Sequence, residues 1–194
     1  MLNRLKPRAE EIISEEQAGF RKGRSTVEQL CNLRIICEKY REHDLPLHLM
    51  FIDFKKAFDR VWQEALWNSM RVYNIGNKLT NLIEALYNKA SSAVVTQDGI
   101  GEWFRTTVGV RQGCLLSPVL FNIFLERIMQ DTLENTMATV KVGGRSIDNL
   151  RFADDIALIS GSQQELQGLS DGLNAKSTRF GMKIHIGKKK PQKQ

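Results

Sequence analysis

A chain of 194 residues with a 42% hydrophobic fraction is long enough for one full core or for two small subdomains sharing a seam. Its 28 Lys and Arg against 22 Asp and Glu leave a formal charge of +6, which favours an anionic partner without telling RNA from DNA, or either from an acidic surface. The opening MLNRLKPRAEE lacks the apolar centre of a signal peptide and no run of about 18 apolar residues follows, so nothing in the sequence directs it to a membrane.

Taken along the chain, basic residues first gather at Arg21, Lys22 and Arg24, just before Ser25 and Glu28, which have the spacing of a capping box. Val27, Leu30, Cys31, Ile35 and Tyr40 give an approximate apolar stripe behind that box, so a helix is predicted over about 26–42. Asp44 to Pro46 breaks it. Leu47 to Ile52 then reads as a short strand apolar enough to be buried on both faces, which puts Asp53 at a strand's C-terminal end. Val61, Ala65, Leu66 and Met70 suit one helix, and Leu79, Leu82, Ile83, Leu86 and Tyr87 suit another after the loop at Gly76.

Ser92 to Gln97 and Trp103 to Val108 are predicted as two strands joined through Asp98-Gly99-Ile100-Gly101. Pro118 opens the longest periodic stretch, in which Leu120, Phe121, Phe124, Leu125, Ile128, Met129 and Leu133 mark one helical face. A second hairpin is expected from Thr139–Val142 and Arg145–Ile147 about Gly143-Gly144, and a third from Leu150 to Ile159, with Asp154-Asp155 at its tip. Ser162 and Glu165 form another capping box, for a helix that carries Leu166, Leu169, Leu173 and Phe180 and ends at Gly181; Met182, Ile184 and Ile186 alternate like a last strand. Antiparallel strands backed by helices make an α+β sandwich the natural solution, with the helices near 62–72, 118–134 and 163–180 behind one sheet.

Cys31, Cys37 and Cys114 form an odd set without a C-x-x-C pair, which points to a reducing compartment and away from a disulfide framework or a structural zinc site. The chemistry-bearing candidates are instead Asp53, Asp154 and Asp155. Each interrupts or ends an apolar strand signal, an expensive place for a charge unless it is paired or holds a cation. Hard oxygen ligands with no His or Cys nearby favour Mg2+ over zinc, and divalent ions would relieve the repulsion among gathered carboxylates. A solvated Asp-Asp turn and a capping role for Asp53 are the plainer readings. An aromatic at the position of Phe58, by spacing alone, is a core residue.

Four blocks change that balance. They are Gln17-Ala-Gly-Phe-Arg-Lys-Gly-Arg-Ser-Thr26; Phe51-Ile-Asp-Phe-Lys-Lys-Ala-Phe-Asp-Arg-Val61; Gly109-Val-Arg-Gln-Gly-Cys-Leu-Leu-Ser-Pro-Val-Leu-Phe-Asn122; and Phe152-Ala-Asp-Asp155. In this order and spacing they carry a likeness that runs over nearly the whole length of the chain, which resembles the reverse transcriptases of non-long-terminal-repeat (LINE-type) retrotransposons.

The resemblance implies an α+β reverse-transcriptase or polymerase palm, an antiparallel sheet backed by helices, with a partial fingers region. On that pattern residues 1–46 are partial fingers and the fingers–palm connection, 47–190 the palm with a fingers-like insertion near 73–108, and 191–194 a basic tail, while the early fingers and the thumb fall outside the chain. It implies an RNA-directed DNA polymerase that adds deoxynucleotides to a primer 3′ end with two Mg2+ ions, Mn2+ being a possible substitute. Asp53, Asp154 and Asp155 would be the acids, with the Phe54 carbonyl as a further metal ligand. Phe58 would be the wall beneath the sugar that excludes a 2′-hydroxyl, and Gln112 and Gly113 would line the nucleotide and template side. Arg21, Lys22 and Arg24 would hold template backbone or triphosphate; Arg111 would contact phosphate or else form a rim salt bridge.

Gly181-Met-Lys-Ile-His-Ile-Gly-Lys-Lys-Lys190 resembles a fourth palm motif but departs from it at His185 and Lys189, and Lys188 aligns with a lysine proposed as general acid beside the departing pyrophosphate. The implied partners are an RNA template, a DNA primer, RNA–DNA hybrid, deoxynucleoside triphosphates and the missing fingers and thumb regions of a longer polyprotein, with no membrane. The implied location is an intracellular retroelement ribonucleoprotein, in nucleus or cytoplasm. Two other readings stay open: a catalytically silent nucleic-acid-binding module or degenerate fragment, and a two-metal nuclease, which would need the acids but neither Phe58 nor the Gln112-Gly113 segment.

Overall fold

The computed structural model describes residues 1–97, 99–134, 136 and 138–185. Within it the chain forms two compact units: Met1–Ser14 with Phe58–Arg127, and Glu15–Ala57 with the chain from Ile128 onward.

The second unit is built on a three-stranded antiparallel sheet in the order β1 (His48–Ile52), β7 (Asp155–Ser160), β6 (Asn149–Phe152). Its register pairs Ile52 with Ile156, Phe51 with Ala157 and Leu49 with Ile159, while Phe152 faces Asp155 and Leu150 faces Ala157. Because side chains alternate along a strand, Leu49, Ala157, Ile159 and Leu150 share one face. On that face Leu150, Ala157 and Ile159 join Ile36, Tyr40 and Val140 in a buried cluster, with Leu33, Leu47, Leu49, Val142 and Ile147 packed around it.

Helix α2 (Thr26–Glu42) contributes Ile36 and Tyr40 to this cluster and packs on β6. It starts where the sequence predicts, with the Ser25 hydroxyl accepting from the Glu28 N–H at 3.2 Å. Helix α6 (Gln163–Arg179) is capped the same way by Ser162 and packs against β7 and β1. Of the three helices expected behind one sheet, α6 packs on it; α2, an unforeseen member, covers β6, and α3 (Gln63–Val72) packs on α4 (Asn77–Asn88) in the other unit.

Both sheet edges are extended by single bridges. Gln17 bridges Arg151 in parallel beyond β6, and Ile184 bridges Phe54 in antiparallel beyond β1. The expected last strand is therefore represented by Ile184, and Ile186 lies outside the described residues. The ribbon β4 (Lys141–Val142) with β5 (Arg145–Ser146), shorter than the hairpin expected there, turns through Gly143 and Gly144 at φ 58° and 79°, a double left-handed turn that glycines take without strain.

The first unit contains α1 (Leu2–Ile12), α3 and α4, with Leu5, Leu66, Met70, Ile83, Phe121 and Phe124 fully buried. Helix α1 was not foreseen: Pro7 lies inside it and costs one backbone bond, but Leu5 and Ala9 on either side are buried. Helix α5 (Ser117–Leu133) begins in this unit and continues past Arg127. Its burial is wider than the single predicted face, because Asn122, Ile123 and Glu126 are buried along with Leu120, Phe121, Phe124 and Leu125.

The long hairpin predicted between Ser92 and Val108 is reduced to β2 (Val95–Thr96) and β3 (Gly99–Ile100), with one bridge between Ser92 and Phe104. Val95 is 76% and Ile100 68% exposed. With these side chains exposed, a two-stranded ribbon has too little burial to hold a longer ladder.

Candidate active site

The hairpin β6–β7 turns through two residues, Ala153 and Asp154. Ala153 has φ 57°, a left-handed conformation that costs a non-glycine residue about 1–2 kcal/mol. The turn delivers Asp155 as the first residue of β7, where it pairs with Phe152, while Asp53 follows Ile52 at the end of β1. Since Ile52 pairs with Ile156, one further step of the same register brings Asp53 level with Asp155 on a common face. The three candidate acids thus gather at one end of one sheet. Asp53 and Asp155 are exposed and Asp154 is half-buried.

Burial raises the pKa of Asp154 above the ordinary aspartate value; a hydrogen bond from its own backbone opposes this, and the negative charges of Asp155 and Asp53 push it further up. Among the described residues, however, no three His, Cys, Asp or Glu side chains form a group close enough to hold a metal ion by themselves.

The turn after Asp53 is fixed from the other side. The His185 N–H donates to the Asp53 carbonyl at 2.7 Å and the Lys55 N–H to the Lys183 carbonyl at 2.8 Å, so this bond pair does not use the Phe54 carbonyl. The Phe54 side chain is buried.

Sequence reasoning missed the side chain most closely tied to the acid-bearing turn. Gln17 is only 1% exposed. Its Nε2 donates to the Ala153 carbonyl at 3.0 Å, and its Oε1 accepts from the Ala153 N–H at 2.9 Å and from the Gly19 N–H at 2.8 Å. Leaving such buried groups unpaired costs about 1–3 kcal/mol each. Gly19 is needed for the approach: a Cβ there would collide with the Ala153 backbone nitrogen and lie 2.8 Å from its Cα. A glutamine and a glycine two residues apart were visible in the first block, but their partner lies 136 residues away and no local pattern reports it.

Of the basic residues in that block, Arg21 donates to the Gln17 carbonyl at 3.1 Å, Arg24 pairs with Glu28 at 3.4 Å and Lys22 is exposed. In the first unit, Phe58 is half-buried and stacked on Phe121, with ring centroids 4.5 Å apart and planes 17° off parallel. Gln112 Nε2 donates to Asp59 Oδ1 at 2.9 Å, and Gly113 has φ 80° with open space where a Cβ would be. Arg111 donates to the Leu86 carbonyl at 3.3 Å and its guanidinium lies 5.5 Å from the centre of the Tyr87 ring, so its partners are a carbonyl and an aromatic face. The structure groups the three acids in one unit and Phe58, Gln112, Gly113 and Arg111 in the other. Lys188 lies outside the described residues.

The comparisons with known proteins agree on this architecture. The family described as "Reverse transcriptase (RNA-dependent DNA polymerase)" matches residues 1–192. The chain is 27% identical over 173 residues to a Retrovirus-related Pol polyprotein from type-1 retrotransposable element R2 of Nasonia vitripennis, which covers 89% of this chain and 17% of that protein. It is also 27% identical to the RNA-directed DNA polymerase from mobile element jockey of Drosophila funebris, across 97% of this chain and 21% of the relative. It therefore spans about a fifth of the length of these relatives. Among solved structures, apo telomerase from Candida tropicalis truncated from its C-terminal domain superposes with a TM-score of 0.72 at 17% identity, covering 98% of this chain and 40% of the other. Telomerase from Candida albicans in complex with a TWJ fragment of telomeric RNA gives 0.69 at 13% identity, covering 95% and 32%. These likenesses support the fold alone: a mixed α/β palm whose antiparallel sheet is backed by helices. The chain belongs to the reverse transcriptase (RNA-dependent DNA polymerase) family and is a domain of the non-long-terminal-repeat retrotransposon type.

Proposed function

We propose that this chain is the catalytic part of an RNA-directed DNA polymerase that extends a primer 3′ end with deoxynucleotides. The observation that carries the reading is the gathering of Asp53, Asp154 and Asp155 at one end of the β1–β7–β6 sheet, with the charge of Asp154 disfavoured first by burial and further by the other two. The donor set is all oxygen, from three carboxylates and a backbone carbonyl, which fits Mg2+, and Mn2+ as a substitute. Mg2+ is commonly held by one or two carboxylates together with water and substrate phosphates, so a closed three-residue cage is not required.

In this reading Asp53 and Asp154 hold the two ions, assisted by the Phe54 carbonyl, and Asp155 supports them. The ions, when bound, lower the pKa of the primer hydroxyl and neutralise charge on the transferring and departing phosphates. The protein's own part is positional. The buried strands fix the acids, and a fixed constellation spares the reorganisation that a flexible one would need at each turnover. Phe58 is assigned the sugar of the incoming nucleotide, Gln112 and Gly113 its base pair, Arg21, Lys22, Arg24 and Arg111 phosphates of template or nucleotide, and Lys188 the leaving pyrophosphate. Substrates are an RNA template, a DNA primer and deoxynucleoside triphosphates; the net charge of +6 supports such anionic partners.

The test is primer extension on RNA and on DNA templates, with Mg2+ or Mn2+ and with deoxy- or ribonucleotides, using this chain and a version lengthened at both ends. Metal-dependent deoxynucleotide addition on RNA supports the reading. Nucleic-acid binding without extension by either version favours a silent binding module.

A further inference from the structure

We propose that Gln17 is a positioning residue for the acid-bearing turn: its side-chain amide sets the backbone of Ala153 and thereby where Asp154 and Asp155 present their carboxylates. The inference rests on the reading of those acids as metal-holding groups.

The base of the clamp is a set of hydrogen bonds to the neighbouring backbone. The Ala18 N–H donates to the Arg151 carbonyl at 2.9 Å, the Arg151 N–H to the Glu16 carbonyl at 2.8 Å, and the Gln29 amide to the Glu16 carbonyl at 2.7 Å. These main-chain bonds to β6 are made at Arg151, two residues before Ala153. The Gln17 side chain continues them, offering one donor and one acceptor to the C=O and N–H of Ala153, as a neighbouring strand would.

Only a primary amide of this length does so. A glutamate at 17 would lack the donor and bring a fourth negative charge to the site; an asparagine is one methylene short. The orientation of the amide is also determined, since Oε1 faces two N–H groups, those of Ala153 and Gly19, and Nε2 faces one carbonyl. Gly19 leaves room for the contact. The residue so clamped holds a disfavoured left-handed φ of 57° and is followed at once by the two acids. A local conformation of this kind persists where its surroundings over-determine it.

The test compares the 15N-labelled wild-type chain with Gln17→Met, which keeps volume and loses both hydrogen bonds, Gln17→Glu, and the double variant Gln17→Met/Ala153→Gly. Three quantities are read: amide hydrogen exchange at Ala153, Asp154 and Asp155 against that at Phe51; Mn2+-induced broadening of the same amides; and kcat and KM for primer extension. For Gln17→Met and Gln17→Glu we expect exchange at the turn about ten-fold faster with Phe51 little changed, a Mn2+ midpoint raised about ten-fold, and kcat lowered about 100-fold with KM for nucleotide within about three-fold. Ala153→Gly in the Gln17→Met background restores at least about ten-fold of kcat, because glycine takes the left-handed conformation without a clamp.

Wild-type exchange and Mn2+ midpoint in Gln17→Met would overturn the proposal. So would a loss shared equally by Phe51, which marks a general weakening of the sheet. If Mn2+ broadens none of these amides in the wild-type chain, the metal reading fails, and the exchange comparison still decides the clamp.

Discussion

The side-chain amide of Gln17 and the backbone of Ala153 exchange two hydrogen bonds, of 3.0 and 2.9 Å, across 136 residues of sequence. This contact ties the first recognisable block of the chain to the last, within the unit that carries the candidate acids. Its steric counterpart is Gly19, whose missing Cβ lets the two backbones approach.

Gly19→Ala should therefore be among the most damaging single-methyl additions in the chain, lowering stability by about 2–4 kcal/mol in urea unfolding. Gly168→Ala, in α6 with nothing near the added methyl, should instead raise stability by about 0.5–1 kcal/mol. Equal effects at the two positions would contradict the packing described.

Tyr40 belongs to the same unit. The Lys141 N–H donates to its hydroxyl at 2.9 Å and its ring belongs to the buried cluster. Tyr40→Phe keeps the ring and leaves that N–H unpaired, which should cost about 1 kcal/mol by chemical denaturation, with an unchanged m value.

The carboxylate of Glu165 accepts from the Thr139 and Ser160 hydroxyls, both at 2.8 Å. These bonds and one involving Ser162 lower its pKa below the ordinary glutamate value. The unfolded state then takes up its proton at higher pH than the native state, so this contribution is fully present above the ordinary value and is lost as pH falls through the native pKa. Thermal scans across the acid range should show Glu165→Gln losing stability near neutrality and a flatter acid limb than wild type; parallel curves would rule the bonds out as a source of pH dependence.

Phe58 combines a stacked contact with half-exposure, and the two predict separable effects. Phe58→Val should cost about 1–3 kcal/mol of stability through lost ring contacts with Phe121. If the exposed part of the ring bears on the sugar, the same change should raise ribonucleotide relative to deoxynucleotide addition by about 10- to 100-fold in competition assays. Lost stability with unchanged selectivity would confine Phe58 to packing.

What the sequence disclosed follows the range of the forces involved. Both capping boxes, Ser25 with Glu28 and Ser162 with Glu165, are decided within four residues, and both helices start where expected. The hairpin holding Asp154 and Asp155 was legible because apolar flanks surround two adjacent acids. That Asp53 would come level with Asp155 depends on the pairing of β1 with β7, about a hundred residues apart, and only the likeness of the whole chain to a known family supplied it. The Gln17 clamp had no such cue. Where a local signal misled, tertiary context overrode it: the apolar ribbon near Val95 stays short, with Val95 and Ile100 exposed.

The central claim is that Asp53, Asp154 and Asp155 together perform the chemistry. Its most direct test is Asp154→Asn in the chain lengthened at both ends, measured side by side for primer extension on an RNA template with Mg2+ and for binding to the same RNA–DNA hybrid. The account predicts that extension falls at least about 1,000-fold while binding changes by no more than about three-fold. Extension at the wild-type rate in the variant would contradict it.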